Sequence, residues 1–355
     1  MELEPMLADV ANSEHISDLH LTVNSRPIVR KSGRLQAYAD FNGRLKPQDL
    51  ENALEYIAGE REMDIFEEKG EVDFSYSLPG TARFRVNAYR QRGSIGIALR
   101  IIPDEVPTID SMNLPGVLKN LAAQRRGLVL STGPTGSGKS TTQAAIINEI
   151  NHTRQAHVVT LEDPIEYLHS HNKSLVHQRE VGGDTTSFSL GLRAALRQDP
   201  DVILVGEMRD LDTIATALEA AETGHLVLAT LHTNSAPATI DRIIDVFPAE
   251  QQDQIRIQLA SVISGVLTQQ LLPKKNEEGR VASFEIMIAT PAIRNIIREG
   301  KTSQLYSAIQ TGGKYDMITR DNYLLNLYNS GKISRDNLIR YCNDQEYVRQ
   351  RLDVI

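Results

Sequence analysis

GLVLSTGPTGSGKSTTQAAIINEI, residues 127–150, settles the fold class of this 355-residue chain. The apolar run GLVLST leads into GPTGSGKS at 133–140, which satisfies the pattern G-x-x-x-x-G-K-[ST] in full, and a helix is expected from about Lys139. A glycine-rich turn between strand and helix lets successive backbone N–H groups point into one concavity, and the helix N-terminus adds its partial positive charge there. Gly133, Pro134, Thr135, Gly136, Ser137, Gly138, Lys139, Ser140 and Thr141 are therefore the expected cradle of a nucleoside triphosphate. Lys139 would reach the β- and γ-phosphates, and Ser140 would place its hydroxyl on Mg²⁺.

Further apolar strands follow at HVVTLED (157–163), DVILVGE (201–207) and LVLATLH (226–232), alternating with helices. In LDTIATALEAAE (211–222), Leu211, Ile214, Ala215, Leu218 and Ala221 fall on one helical stripe. This texture predicts an α/β domain whose parallel sheet is covered on both faces. From about Pro248 onward the pattern reads as mainly helical.

In open α/β sheets, ligands bind at the C-terminal ends of the strands. Glu207 closes DVILVGE at that edge and is expected to contact Mg²⁺ through water, or to polarise an attacking water. EDPIE brings Glu162, Asp163 and Glu166 to the end of a neighbouring strand. Carboxylates beside a triphosphate repel it unless metal or substrate protons compensate, so their presence points to hydrolysis and not to binding alone. His232 leaves its strand at the same edge, placed to hydrogen-bond the γ-phosphate. His225 lies at the strand's other end, roughly 20 Å away at ~3.3 Å per residue, and reads equally as a sensor or as a core histidine bonded to a carbonyl. His152, His157, His169, His171 and His177 cluster in sequence but lack the paired spacing of a zinc site.

Residues 1–100 read as a separate small α/β domain, with helices in MLADVANSEHI and PQDLENALEYIAGE and strands in LHLTV, VDFSYSL, RFRVNAY and SIGIALRII. IIPDEVPTIDSMNLP carries three prolines in fifteen residues and reads as the linker, set at 101–112, before a second domain over 113–355. Phe74–Pro103 holds no Asp or Glu but contains Arg83, Arg85, Arg90, Arg92 and Arg100. Alternation in ARFRVNAY puts Arg83 and Arg85 on one strand face, opposite Phe84 and Val86. A nucleotide site open at a sheet edge needs positive charge at the transition state, and Arg85, Arg90 and Arg100 are the candidates to supply it from a neighbouring domain or subunit.

The bulk numbers narrow the partners. A net charge of −8 argues against nucleic acid as the main ligand, 41% hydrophobic content comes without any apolar run of membrane-spanning length, and the acidic N-terminus lacks a secretion signal. A cytoplasmic location without membrane insertion is expected, consistent with the single cysteine, Cys342.

GPTGSGKSTT, TLEDPIEYLH, ALRQDPDVILVGEMRDLDTI, AAETGHLVLATLHTNSA and TIDRIIDVFPAE together resemble the Walker A, Asp box, Walker B and His box motifs of the secretion ATPase superfamily of type II secretion and type IV pili, in the family order. SDLHLTV and RFRVNAYRQRG are similar to its PAS-like N-terminal domain. Among its branches, the pilus retraction ATPases are the most similar: the chain is short, lacks the four-cysteine zinc motif, and carries AIRNIIREGK (292–301) where that branch has AIRNLIREGK. The resemblance implies a RecA-like core with C-terminal helices and a homohexameric ring at the inner face of the cytoplasmic membrane. It implies attachment to the pilus machinery through an inner-membrane platform protein. It also implies Glu166 as general base with Glu162 alongside, Glu207 as the Walker B residue, His225 and His232 as the His-box pair, and Arg85 and Arg100 reaching the nucleotide. Related alternatives are an extension-type or accessory ATPase, a non-hydrolysing scaffold, and a DNA translocase.

Overall fold

The computed structural model describes residues 2–13, 16–102, 105–275 and 279–352. By its internal contacts the chain divides into two units, Met1–Val106 with Pro164–Leu168, and Pro107–Asp163 with His169–Ile355. Pro103 and Asp104 of the expected linker, and Glu14 and His15 of the expected first helix, lie outside the described residues.

The first unit contains α1 (Leu3–Asn12), β1 (Ile16–Thr22), β2 (Ile28–Lys31), β3 (Arg34–Ala37), α2 (Pro47–Ile57), α3 (Glu60–Lys69), β4 (Glu71–Leu78), β5 (Ala82–Gln91) and β6 (Ser94–Ile102). Its six strands form an antiparallel sheet in the order β3-β2-β1-β6-β5-β4. The alternation of β5 is realised: Phe84, Val86 and Ala88 are fully buried in a core shared with Leu7, Leu50, Leu54 and Phe66 from the helices. Three elements exceed the sequence reading, namely β2, β3 and α3. β3 is exposed along its whole length, so no apolar periodicity marks it.

The second unit contains α4 (Val117–Ala122), β7 (Gly127–Thr132), α5 (Lys139–Thr153), β8 (His157–Glu162), β9 (Leu175–Glu180), α6 (Phe188–Ala195), β10 (Val202–Val205), α7 (Leu211–Glu222), β11 (Leu226–Leu231), α8 (Ala236–Asp245), α9 (Ala249–Val262), β12 (Ile263–Pro273), β13 (Arg280–Ile288), α10 (Pro291–Arg298), α11 (Leu305–Gln310), α12 (Arg320–Asn329), α13 (Arg335–Tyr341) and α14 (Gln345–Leu352). Seven strands lie in the order β13-β12-β7-β11-β10-β8-β9. Every neighbouring pair is parallel except β12 with β13.

Alternate residues of the central strands feed two cores. Leu128, Leu130, Ile203, Val205, Val227 and Ala229 pack toward α6 to α10, while Val129, Val202, Leu204, Leu226 and Leu228 pack toward α4 and α5. Burial on both faces explains why these strands read as continuous apolar runs, each such side chain contributing about 1.5–3 kcal/mol.

The expectation of a mainly helical region after Pro248 is corrected by β12 and β13, which extend the sheet and make it mixed. Residues 263–273 include Leu and Gln, good helix formers, but pairing with β7 overrides that preference. Leu272, Leu324, Leu327, Ile333, Leu338 and Val348 close a smaller core beneath the C-terminal helices. Among the described residues, no helix is long and apolar enough to cross a membrane.

Candidate functional site

The strand order places the functional loops side by side. The glycine-rich loop follows β7, His232 follows the adjacent β11, Glu207 follows β10, and Glu162 ends β8. Neighbouring strands lie about 4.8 Å apart, so all four emerge along one edge within a nucleotide's reach.

Gly133, Gly136 and Gly138 adopt φ of 138°, 76° and 89°, the left-handed region that glycine enters without strain. A side chain at Gly133 would strike the Gln269 carbonyl, and one at Gly138 would come within 2.8 Å of Gln269 Nε2. Gln269 of β12 thus sets the back wall of the loop, and its Oε1 also accepts a 2.7 Å bond from Thr142 of α5. Gln143 reaches Ser131 of β7 at 2.9 Å, and Thr132 bonds Thr268 at 2.9 Å. These buried bonds fix loop, helix and strand as one piece.

Lys139 Nζ donates to the carbonyls of Gly133 at 2.8 Å and Pro134 at 3.2 Å, which holds the ammonium beside the concavity. Ser137 Oγ is buried and has no hydrogen-bond partner, an orphan that a phosphate oxygen would satisfy. Pro134, Thr135, Gly136 and Ser140 are exposed, and Thr141 is partly so. The cradle fits a polyphosphate. Ser140 Oγ and the Glu207 carboxylate are hard oxygen donors of the kind Mg²⁺ takes alongside substrate phosphates and its own waters.

Glu207 is the electrostatic centre. Its Oε1 lies 2.9 Å from His232 Nε2 and its Oε2 lies 2.6 Å from the Arg209 guanidinium. Burial works to raise its pKa, but the Arg209 hydrogen bond, with the positive charges of His232, Arg209 and Lys139, outweighs burial and holds the carboxyl below its ordinary value. The strand end is itself fixed: Gly206 N–H donates to Leu161 O at 2.7 Å, Met208 N–H donates to Thr230 O at 3.0 Å, and Thr230 Oγ1 donates to Gly206 O. Arg209 escaped the sequence reading, although its position two residues after Glu207 was the available signal.

Glu162 accepts from Thr160 at 2.7 Å and from Gln178 at 3.1 Å, so its Oε1 is committed to the scaffold. His225 is not brought to this edge. It sits before β11, at the strand's far end, with Nδ1 2.9 Å from the Ala220 carbonyl, where it closes the C-terminus of α7.

Glu166 is half-buried on the segment 164–168 that groups with the first unit. Arg85 and Arg100 belong to that unit too and face each other directly across β5 and β6. Arg85 has a loose ion pair with Asp73 at 3.7 Å, whereas Arg100 Nε bonds the buried Asp18 at 2.9 Å. His157 Nε2 and His177 Nδ1 lie 2.9 Å apart, but among the described residues no group of three or more His, Cys, Asp or Glu is arranged to hold a metal. The first seven residues of AIRNIIREGK lie in α10, with Ile293 and Ile297 fully buried and Arg294 donating to the carbonyls of Ala289, Ala260 and Ser261 at 3.2, 2.7 and 2.7 Å.

A P-loop on a central parallel strand, with a carboxylate and a histidine on the strands beside it, defines a P-loop ATPase core. The chain belongs to the type II/IV secretion system protein family, whose model matches residues 78–324. It is 50% identical to the type IV pilus retraction ATPase PilT of Pseudomonas aeruginosa, over 95% of this chain and 97% of that protein. It is 47% identical to a twitching motility protein of Neisseria gonorrhoeae, over 85% of this chain and 81% of the relative. The crystal structure of the pilus retraction motor PilT with bound ADP superposes with a TM-score of 0.91 at 46% identity, covering 99% of both chains.

Proposed function

We propose that this chain is a Mg²⁺-dependent ATPase that powers type IV pilus retraction as a homohexamer, working at the cytoplasmic face of the membrane through an inner-membrane platform protein. The observation that carries the reading is the row formed by the P-loop, His232 and Glu207 along one sheet edge. The PilT and twitching-motility relatives point to the task.

The P-loop amides and Lys139 bind and orient the triphosphate. Bound Mg²⁺ would neutralise charge on the β- and γ-phosphates, with Ser140 and Glu207 holding it, the latter through water. Glu207 also fixes His232, whose imidazole is set to hydrogen-bond the γ-phosphate and to register its departure. Glu166, with Glu162 alongside, takes the proton of the attacking water. His225 anchors the far end of the β11 strand that carries His232.

Arg85 and Arg100 of a neighbouring subunit supply transition-state charge, worth about 10³- to 10⁵-fold in comparable sites. Arg85 is the readier of the two to swing to a phosphate, because it gives up only a long, exposed ion pair. Arg100 keeps its Nε on Asp18 and offers its terminal nitrogens.

The test uses piliated cells lacking the chain, complemented with wild type or Lys139→Ala, with fluorescently labelled pili followed by microscopy. Restored retraction by wild type alone is expected. Equal retraction by Lys139→Ala would refute the proposal.

A further inference from the structure

Only four residues, His232 to Ser235, separate β11 from α8. The segment is pinned at both ends. Leu231 pairs with Thr132, the last residue before the P-loop, and the Ala236 N–H donates to Glu285 Oε1 at 2.7 Å. In between, the Asn234 carbonyl accepts from the Arg320 guanidinium. Glu285 lies on β13 with no exposed surface, and Arg320 opens α12 with 8% exposed. β13 is also tied to the segment that leads into α12, since Ile286 and Ile318 exchange backbone hydrogen bonds of 2.9 and 3.1 Å.

A buried carboxylate and guanidinium are poor stabilisers: apolar residues of similar volume would often pack as well or better. Burial also raises the Glu285 pKa, so the group is held against its own solvation preference. Their bonds go to Asn234, within the loop that carries His232, and to Ala236, the residue at which that loop enters α8.

We propose that Glu285 and Arg320 are positioning residues for hydrolysis, which hold residues 232–235 so that His232 stays on Glu207 and which tie that end of β11 to the C-terminal helices. The inference rests on the ATPase reading above. It adds that the C-terminal helices have a short mechanical route to the γ-phosphate side of the site, through α12, Arg320 and the Asn234 carbonyl.

The test measures kcat and KM for MgATP in Glu285→Met, Glu285→Gln and Arg320→Met, each alone and combined with His232→Ala. The Met variants should lower kcat at least tenfold with KM within twofold. Glu285→Gln, which keeps an acceptor for the Ala236 N–H, should stay within threefold of wild type. In the His232→Ala background the Met variants should add nothing further, because residues acting through one group are not additive. Losses that multiply with that of His232→Ala, or a kcat per folded molecule equal to wild type, would overturn the proposal.

A second readout needs no turnover. The NMR chemical shifts of the His232 ring, recorded at one fixed pH, should move in Arg320→Met, or in Arg320→Lys if the Met variant does not fold, since Lys keeps the charge without the fork. Ring signals identical to wild type would overturn the proposal whether or not the wild type hydrolyses ATP. A wild type that fails to hydrolyse ATP while the ring signals do move would refute the ATPase reading alone.

Discussion

His232 Nε2 lies 2.9 Å from Glu207 Oε1, while Arg209 holds the other oxygen of the same carboxylate at 2.6 Å. Glu207 is thereby clamped between two donors, and its lowered pKa keeps it ionised throughout the neutral and mildly acidic range. Glu207→Gln should lower kcat by about 100-fold, and His232→Ala by roughly 10- to 100-fold, with nucleotide affinity nearly unchanged. Because its carboxyl is held below the ordinary value, Glu207 stays ionised from pH 6 to 9, so the Gln variant lacks a charge that the wild type carries at every pH in that interval. Steady-state kinetics and fluorescent-nucleotide titration check both.

The three loop glycines should differ in sensitivity. Alanine at Gly136 meets nothing within 4 Å, so it costs only the left-handed conformation, about 1–2 kcal/mol. Alanine at Gly133 must additionally displace the Gln269 carbonyl, a backbone atom that cannot swing aside, whereas at Gly138 the obstacle is a side-chain amide. Urea unfolding should rank Gly133→Ala as the most destabilised and Gly136→Ala as the least, with Gln269→Ala easing Gly138→Ala.

His169 should make the second unit acid-sensitive. Burial lowers its pKa from 6.5 to about 4, with the positive charge of His152 a smaller contribution. The unfolded chain then takes up a proton below pH 6.5 that the folded chain refuses until about pH 4. The stability this group contributes is fully present above pH 6.5 and is lost as pH falls toward 4, about 3 kcal/mol in all. His169→Gln should flatten the unfolding free energy over that window, and denaturation at a series of pH values measures it.

Much of this was legible in the residues themselves. Leu226–Leu231 and Val202–Val205 are buried on both faces, so their apolar runs announced the central strands, and GPTGSGKS announced the loop that joins β7 to α5. Positions that act through tertiary contacts carried no such mark. Gln269, 136 residues beyond Gly133, becomes the wall of the P-loop only once β12 pairs with β7, and a run containing Leu and Gln hides that pairing. Glu285 and Arg320 look like solvated charges in sequence, yet both are buried. His225 and His232 bracket one apolar run, and only the strand's length and direction separate their surroundings.

Arg294 joins the C-terminus of α9 to α10 by donating to three carbonyls. Arg294→Ala should destabilise the fold by about 1–3 kcal/mol, because those carbonyls lose a charged donor in a half-buried position. Arg298, exposed one turn later, should tolerate alanine within about 0.5 kcal/mol. Thermal unfolding of the two variants separates a structural role of this helix face from its exposed one.

The most direct measurement of the central claim is ATP turnover against protein concentration for wild type, Glu166→Ala and Arg85→Ala, with molecular mass in solution recorded alongside. Turnover that rises with ring formation, and collapses in both variants while the mass is unchanged, is expected of a site completed by a neighbouring subunit. Full turnover by monomers, indifferent to Arg85→Ala, would contradict it.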